Sequence, residues 1–151
     1  MDLSAAIKVF LLAASPILEC RGAIPYGFYA GLSPIEVYVL SLLGNLMPVL
    51  PLFLGLKAFE RRFRHFLVVR YLDSVRRRAA PYVEKYGVMG LALFVAIPLP
   101  FTGAWTGTIA AYVLGIDVKK TCLSVVVGVI CAALIVELAC LGVLQIIWGI
   151  P

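Results

Sequence analysis

Residues 86–116 read YGVMGLALFVAIPLPFTGAWTGTIAAYVLGI, an uncharged run of 31 residues. As one straight α-helix it would measure about 46 Å at 1.5 Å per residue, against a bilayer hydrocarbon core of about 30 Å. Pro98, Pro100 and Gly103 fall near its middle. A proline there removes a backbone donor and blocks the helix. The reading is two half-helices of about 14 residues that reach roughly 20 Å into a membrane and return. A non-helical tip survives at that depth only when buried in protein or lining a water-filled cavity.

The flanking sequence tells the same story. Val37 to Leu56 is uncharged, and so is Thr121 to Val136, which runs on past a lone Glu137. Hydrophobic residues make up 63% of the 151 and charged residues 14%, against about 25% charged in an ordinary soluble domain. A 16.4 kDa chain has too little interior to hide that much apolar surface. An integral membrane protein without a soluble domain is expected.

Proline, glycine and charge divide the chain into five parts. Residues 5–30 are apolar but interrupted by Pro16, Glu19, Arg21, Gly22, Pro25 and Gly27. Residues 34–56 form a first span, with Pro34 in its first turn. Residues 57–86 are basic, residues 87–115 form the second interrupted segment, and residues 118–148 form a second span. At an offset of 84, Pro16 falls on Pro100, Gly31 on Gly115 and Gly44 on Gly128. With the matching order of parts, this predicts an internal duplication: 1–56, then a linker helix over 57–86, then 87–151, in one membrane domain. The fold expected is all-α, an inverted repeat of two re-entrant helical hairpins. Each hairpin is followed by a transmembrane helix, and Pro16, Pro25, Pro98, Pro100, Gly103 and Gly107 break the hairpins.

Charge sets the orientation. The chain carries +5, but the stretch from Lys57 to Gly87 holds nine basic and three acidic residues, so the remainder sums to −1. Basic clusters beside spans stay cytoplasmic, and in the hairpin arrangement Lys119 and Lys120 join them there, with both termini outside. Four plain spans would leave those two lysines outside. Arg61, Arg62, Arg64, Arg76, Arg77 and Arg78 are interspersed with Phe59, Phe63, Phe66, Leu67, Val75 and Val83 at partial helical spacing. That suits an amphipathic helix in the interface, an anchor of topology before it is a lipid-headgroup site. Nucleic acid is not an expected partner; membrane lipids, a small amphiphile or lipid phosphate, and a second copy of the chain are. Lys8 and Ala13-Ala14-Ser15 resemble a signal peptide, but Pro16 and Asp2 argue against cleavage.

Glu19 and Arg21 are the sharpest chemical signal. An ionised side chain at the bilayer centre costs about 2.5–3.5 kcal/mol. In an extended tip, residues two apart share a side, so both would face one polar cavity. A substrate or ion pathway and a salt-bridge staple both meet that requirement. Glu137, mid-span, reads equally as a proton-exchanging site or a hydrogen-bonded glutamic acid. Asn45, Thr102, Trp105, Thr106 and Thr108 are candidates to line the path, and Gly103 with Gly107 also suits close helix packing. Cys20, Cys122, Cys131 and Cys140 form no metal-ligand or disulfide pattern, so no metal or cofactor is expected. No catalytic triad or phosphate loop appears, and an enzyme is not expected.

The stretches Glu19-Cys20-Arg21-Gly22-Ala23-Ile24-Pro25-Tyr26-Gly27 and Ile97 to Ala110 resemble the small multidrug export protein family over nearly the whole chain. That family is in turn similar to the DedA (VTT) superfamily. The likeness implies two oppositely facing re-entrant hairpins, and movement of lipids or lipid-linked carriers that depends on membrane-embedded acidic and basic residues, often with proton coupling. By position, Glu19 matches the acidic residue of the first hairpin and Pro25 its proline. The second hairpin departs from the superfamily: Thr102, Trp105, Thr106 and Thr108 stand where arginines are usual, which leaves Arg21 as the candidate cation. The resemblance thus implies a flippase-like transporter of an amphiphile in the cytoplasmic membrane of a prokaryote. A lipid-binding scaffold is the alternative, and it has no need of charge inside the hairpins.

Overall fold

The structure is a computed structural model that describes residues 2–60, 75, 77–81, 83, 85–99 and 102–148. Its helices are α1 (Leu3–Ala14), α2 (Glu19–Tyr29), α3 (Pro34–Leu46), α4 (Val49–Glu60), α5 (Val88–Ala96), α6 (Ala104–Val113) and α7 (Val118–Trp148). Described residues between 75 and 86 are also helical, with Arg77 and Arg78 exposed. Arg61, Arg62, Arg64, Arg76 and Pro100 lie outside the described residues.

The outward faces of the molecule are apolar, while several polar and charged side chains are buried among apolar ones. Leu3, Ile7 and Leu11 on α1, Ile35, Val39 and Leu43 on α3, and Leu123, Val127, Ile130, Leu134 and Leu138 on α7 are all exposed. Their spacing of three to four residues makes an outward stripe on each helix. Glu19, Ser41, Asn45, Thr108 and Glu137 are buried. In water this inversion would be unstable; in lipid it is what the solvent demands. Two apolar stretches, Pro34–Ala58 and Val118–Val143, are long enough to cross a bilayer.

The interrupted segments do break, but not everywhere the prolines and glycines suggested. α1 stops at Ala14, and residues 15–18 turn, with the Leu18 N–H donating to Ser15 Oγ at 3.1 Å. α2 then starts at Glu19 and runs through Gly22, Pro25 and Gly27. Those glycines serve contact, since a methyl group on Gly27 would run into Val37 and one on Gly22 into Leu18. Pro25 is a correction as well: it sits inside α2, where it deprives the Arg21 carbonyl of its helical donor without ending the helix. Glu19 and Arg21 therefore occupy the first turn of a helix, not an extended tip. The second break spans Ile97 to Gly103 and contains Pro98. Gly107 does not break anything, because it lies in α6 against Val95.

The first span is turned at Met47 and Pro48, which separates α3 from α4. Pro48 and Pro51 offer no N–H to the carbonyls of Gly44 and Met47, so the ladder lapses there. At its start, α3 carries a capping box in which the Ser33 N–H donates to Glu36 Oε2 at 3.0 Å.

The offset of 84 reappears in the hydrogen bonds. After α2, Ala30, Gly31 and Leu32 donate to the carbonyls of Tyr26, Phe28 and Gly27 at 2.9, 3.0 and 3.1 Å. After α6, Leu114, Gly115 and Ile116 donate to Ala110, Tyr112 and Ala111 at 2.9, 3.1 and 2.9 Å. Both caps turn on a left-handed glycine, φ 76° at Gly31 and 71° at Gly115. Gly44 lies against the Phe10 carbonyl of α1, and Gly128 against the Ala92 carbonyl of α5. The two cores are joined by exchange. α3 packs on α1, but α4 packs on α6; α7 packs on α5 and also on α2 and α3. Val125 and Val129 of α7 belong to one buried cluster, Ala132 and Ala133 to the other.

Candidate functional site

The two breaks meet. Trp105, in the first turn of α6, donates its indole Nε1–H to the Ala14 carbonyl at 3.2 Å. Its backbone N–H donates to Glu19 Oε1 at 3.3 Å. The residue that precedes α6 is Gly103, which has no side chain to cap the helix. The Glu19 carboxylate fills that place: a methyl group on Gly103 would overlap it. A carboxylate at a helix N-terminus satisfies an orphan donor and meets the positive end of the dipole. Glu19 adopts φ 50°, a left-handed conformation that costs a side-chain-bearing residue about 1–2 kcal/mol. The contacts with Trp105, Gly103 and Arg21 hold it there.

Arg21 binds the other side of the second break. Its Nη2 donates to Thr102 Oγ1 at 3.0 Å and to the Ile97 carbonyl at 3.4 Å. Its Nη1 lies 3.6 Å from Glu19 Oε2. Thr102 Oγ1 is 2.6 Å from the Ile97 carbonyl and 2.8 Å from that of Leu99, and its single proton serves one of them at a time. Among the described residues of this break, one guanidinium and one hydroxyl thus gather the carbonyls of Ile97 and Leu99. Arg21 Nε has no hydrogen-bond partner among the described residues.

Beside this network runs a groove of about 970 Å³ between α2 and α7. Arg21 and Pro98 lie in its lining with Pro25, Phe28 and Tyr29 of α2 and Ile135, Val136, Ala139, Cys140 and Val143 of α7. The Arg21 side chain is 21% exposed and that of Glu19 only 5%, so the groove reaches the cation and not the carboxylate.

Glu19, Arg21, Thr102, Gly103 and Trp105 are brought together. Thr106 and Thr108 are not part of the cluster, because their hydroxyls donate within their own segment to the carbonyls of Gly103 (3.3 Å) and Ala104 (2.6 Å). Asn45 is buried on α3 next to the Cys20 thiol. Glu137 stands apart in mid-α7, within electrostatic reach of Tyr38 and Cys140. The groove walls were not foreseen. Arg21, Pro25, Phe28 and Tyr29 follow a helical i, i+4, i+7, i+8 spacing, a signal visible only once residues 19–29 are read as helix.

This arrangement of broken helices occupies residues that define a known group: the chain matches the small multi-drug export protein family over residues 19–135. It belongs to that family. The match begins on Glu19, just after the first break, and ends in α7, so it takes in the second break and Glu19, Arg21, Thr102, Gly103 and Trp105. No curated protein and no solved structure matches the chain. An export-protein family and two apolar crossing helices make this an integral membrane protein and point to transport rather than catalysis.

Proposed function

We propose that the protein exports amphiphiles, with the polar headgroup held at Arg21 while the tail lies in the groove between α2 and α7. The observation that carries this reading is the make-up of the groove. Its walls are apolar and of a size for an acyl or ring system, and Arg21 is the charged residue among those that line it. The part-exposed guanidinium suits an anionic oxygen of phosphate or carboxylate. Glu19 orients the guanidinium, and the carbonyl of Arg21 released by Pro25 adds an acceptor beside it.

The halves are read as inverted repeats, and each interrupted segment as a re-entrant hairpin. Helices of 12, 11, 9 and 10 residues span about 14–18 Å each, too short to cross alone. The paired caps and the exchange of spans support two copies of one unit about a pseudo-two-fold axis. Lys85, Lys119 and Lys120 then fall on the cytoplasmic face of a prokaryotic cell membrane. Proteoliposomes loaded with tail-labelled phospholipid and lysophospholipid probes test the function. Arg21→Met and Glu19→Gln abolish probe movement while the purified protein stays monodisperse. Movement at the parental rate in both would end the export reading at this site.

One observation favours the scaffold: Glu19 and Arg21 tie the two breaks together, which a fold without transport also needs. Thr102→Val separates the readings. It loosens the tie but leaves the cation, so export survives with reduced stability.

A further inference from the structure

The groove between α2 and α7 is short for its volume. Arg21 and Tyr29 mark the ends of its α2 wall, Ile135 and Val143 the ends of its α7 wall. Each pair is separated by about 12 Å, at 1.5 Å per residue along a helix. A volume of about 970 Å³ over that length gives a mean section of about 80 Å². Both walls are lowest halfway along. On α2 the exposed Pro25 stands between Arg21 and the rings of Phe28 and Tyr29; on α7 Ala139 stands between the branched Ile135 and Val143. The two low points fall at the same depth whichever way the walls run, so the groove is widest in its middle. Its ends differ in chemistry. The Arg21 side chain is 21% exposed at one end, while the Glu19 carboxylate beside it is shut off at 5%.

These proportions choose between kinds of apolar ligand. A single acyl chain is a thin rod, and in a space this wide much of its surface would meet no wall and forfeit dispersion contacts. Two tails would fill the width. A leaflet's tail, however, is about 15 Å long, half the hydrocarbon core, and would have to pass the narrower end. A fused ring system is short, wide and stiff. It touches both walls at the middle, lies against the Phe28 ring and has little conformational freedom to lose. We infer that the ligand of this groove is a compact organic anion, with two or three fused rings lodged between Pro25 and Ala139 and an acidic group at Arg21. Ala139 is then the residue that sets the permitted width, and Arg21 the one that sets the permitted charge. The inference names a substrate class for the export site, so it rests on the export reading.

Isothermal titration calorimetry on the full chain in phosphatidylethanolamine–phosphatidylglycerol nanodiscs tests the class, with protein-free discs to subtract partition into lipid. The probes are naphthalenesulfonate, octanesulfonate and naphthylmethylammonium. Naphthalenesulfonate is expected to bind tightest, with the chain anion and the ring cation each about tenfold weaker or more, the weight of one good contact. Ala139 is exposed, so Ala139→Trp fills the groove without entering the core. That variant is expected to stay monodisperse and lose naphthalenesulfonate binding. Monodisperse Arg21→Met is expected to bind naphthalenesulfonate no better than the ring cation. Octanesulfonate binding as tightly as naphthalenesulfonate would overturn the ring assignment, and the ring cation doing so would overturn the anion assignment. Naphthalenesulfonate binding undiminished in Ala139→Trp would put the ligand elsewhere and overturn both. The export reading fails by a different result: naphthalenesulfonate binds in the groove, yet loaded proteoliposomes do not release it faster than protein-free ones.

Discussion

At Gly103 the absence of a side chain has a specific use, because the Glu19 carboxylate occupies the space a methyl group would take. Gly103→Ala therefore has to displace a buried charge from its helix N-terminus. The expected loss is about 1–3 kcal/mol, the usual range for overpacking, read as a lower unfolding temperature in detergent. Gly142 and Gly55 are helical, and a methyl group on either would meet open space, so Ala at either raises stability by about 0.5–1 kcal/mol. Thr102→Val removes the shorter of the two hydrogen bonds from Arg21 Nη2, leaving the Ile97 carbonyl, and costs about 1–3 kcal/mol. The same thermal series measures all four. In the sequence, Glu19, Arg21, Thr102 and Trp105 stand out because charge and hydroxyls are costly among apolar residues. Their partners do not stand out, since the carbonyls of Ala14 and Ile97 carry no sequence signature.

Among the helices, the matched ends of α2 and α6 give a sharper test of duplication than the matched letters do. Neither Gly31 nor Gly115 has an atom within 4 Å of where a methyl group would sit, so the left-handed φ alone sets the cost of alanine. Gly31→Ala and Gly115→Ala are each expected to lose about 1 kcal/mol, and by the same amount, in denaturation of the purified protein. A large difference would mean that the two caps carry unlike loads. The break at Pro98 was legible because proline and glycine coincide there in the middle of an overlong run. The break at Ser15 and the turn at Met47 were harder to place. Proline marks a lost hydrogen bond but not whether the surrounding packing absorbs it, and Pro25 is absorbed while Pro48 is not.

For the molecule as a whole, the arrangement of sides is the open quantity with the plainest measurement. The hairpin reading proposed above predicts Asp2 and Ser33 on one face of the membrane and Lys85 and Asp117 on the other. In a background without the four native cysteines, Asp2→Cys and Ser33→Cys are expected to react with an impermeant maleimide added outside intact cells. Lys85→Cys and Asp117→Cys are expected to react only after permeabilisation. Opposite accessibility of positions 2 and 33 would make α1 and α2 a crossing pair and end the hairpin reading. Membrane residence was legible from composition alone, because lipid leaves apolar side chains on every outward face.

The exchange of spans between the halves bears on how the protein is made. α4 rests on α6, and the far part of α7 rests on α2, so neither half holds a complete set of neighbours. Synthesis delivers the N-terminal half first. Until residue 102 has emerged, Arg21 has neither its hydroxyl nor its carbonyl acceptor, and Glu19 has no helix end to cap. The bilayer must therefore shelter an unfinished intermediate whose Glu19–Arg21 pair lacks its hydrogen-bond partners from the second half. A chain stalled between the halves is the form a quality-control protease would meet. Separately expressed fragments 1–60 and 75–151 are then stable only when produced together.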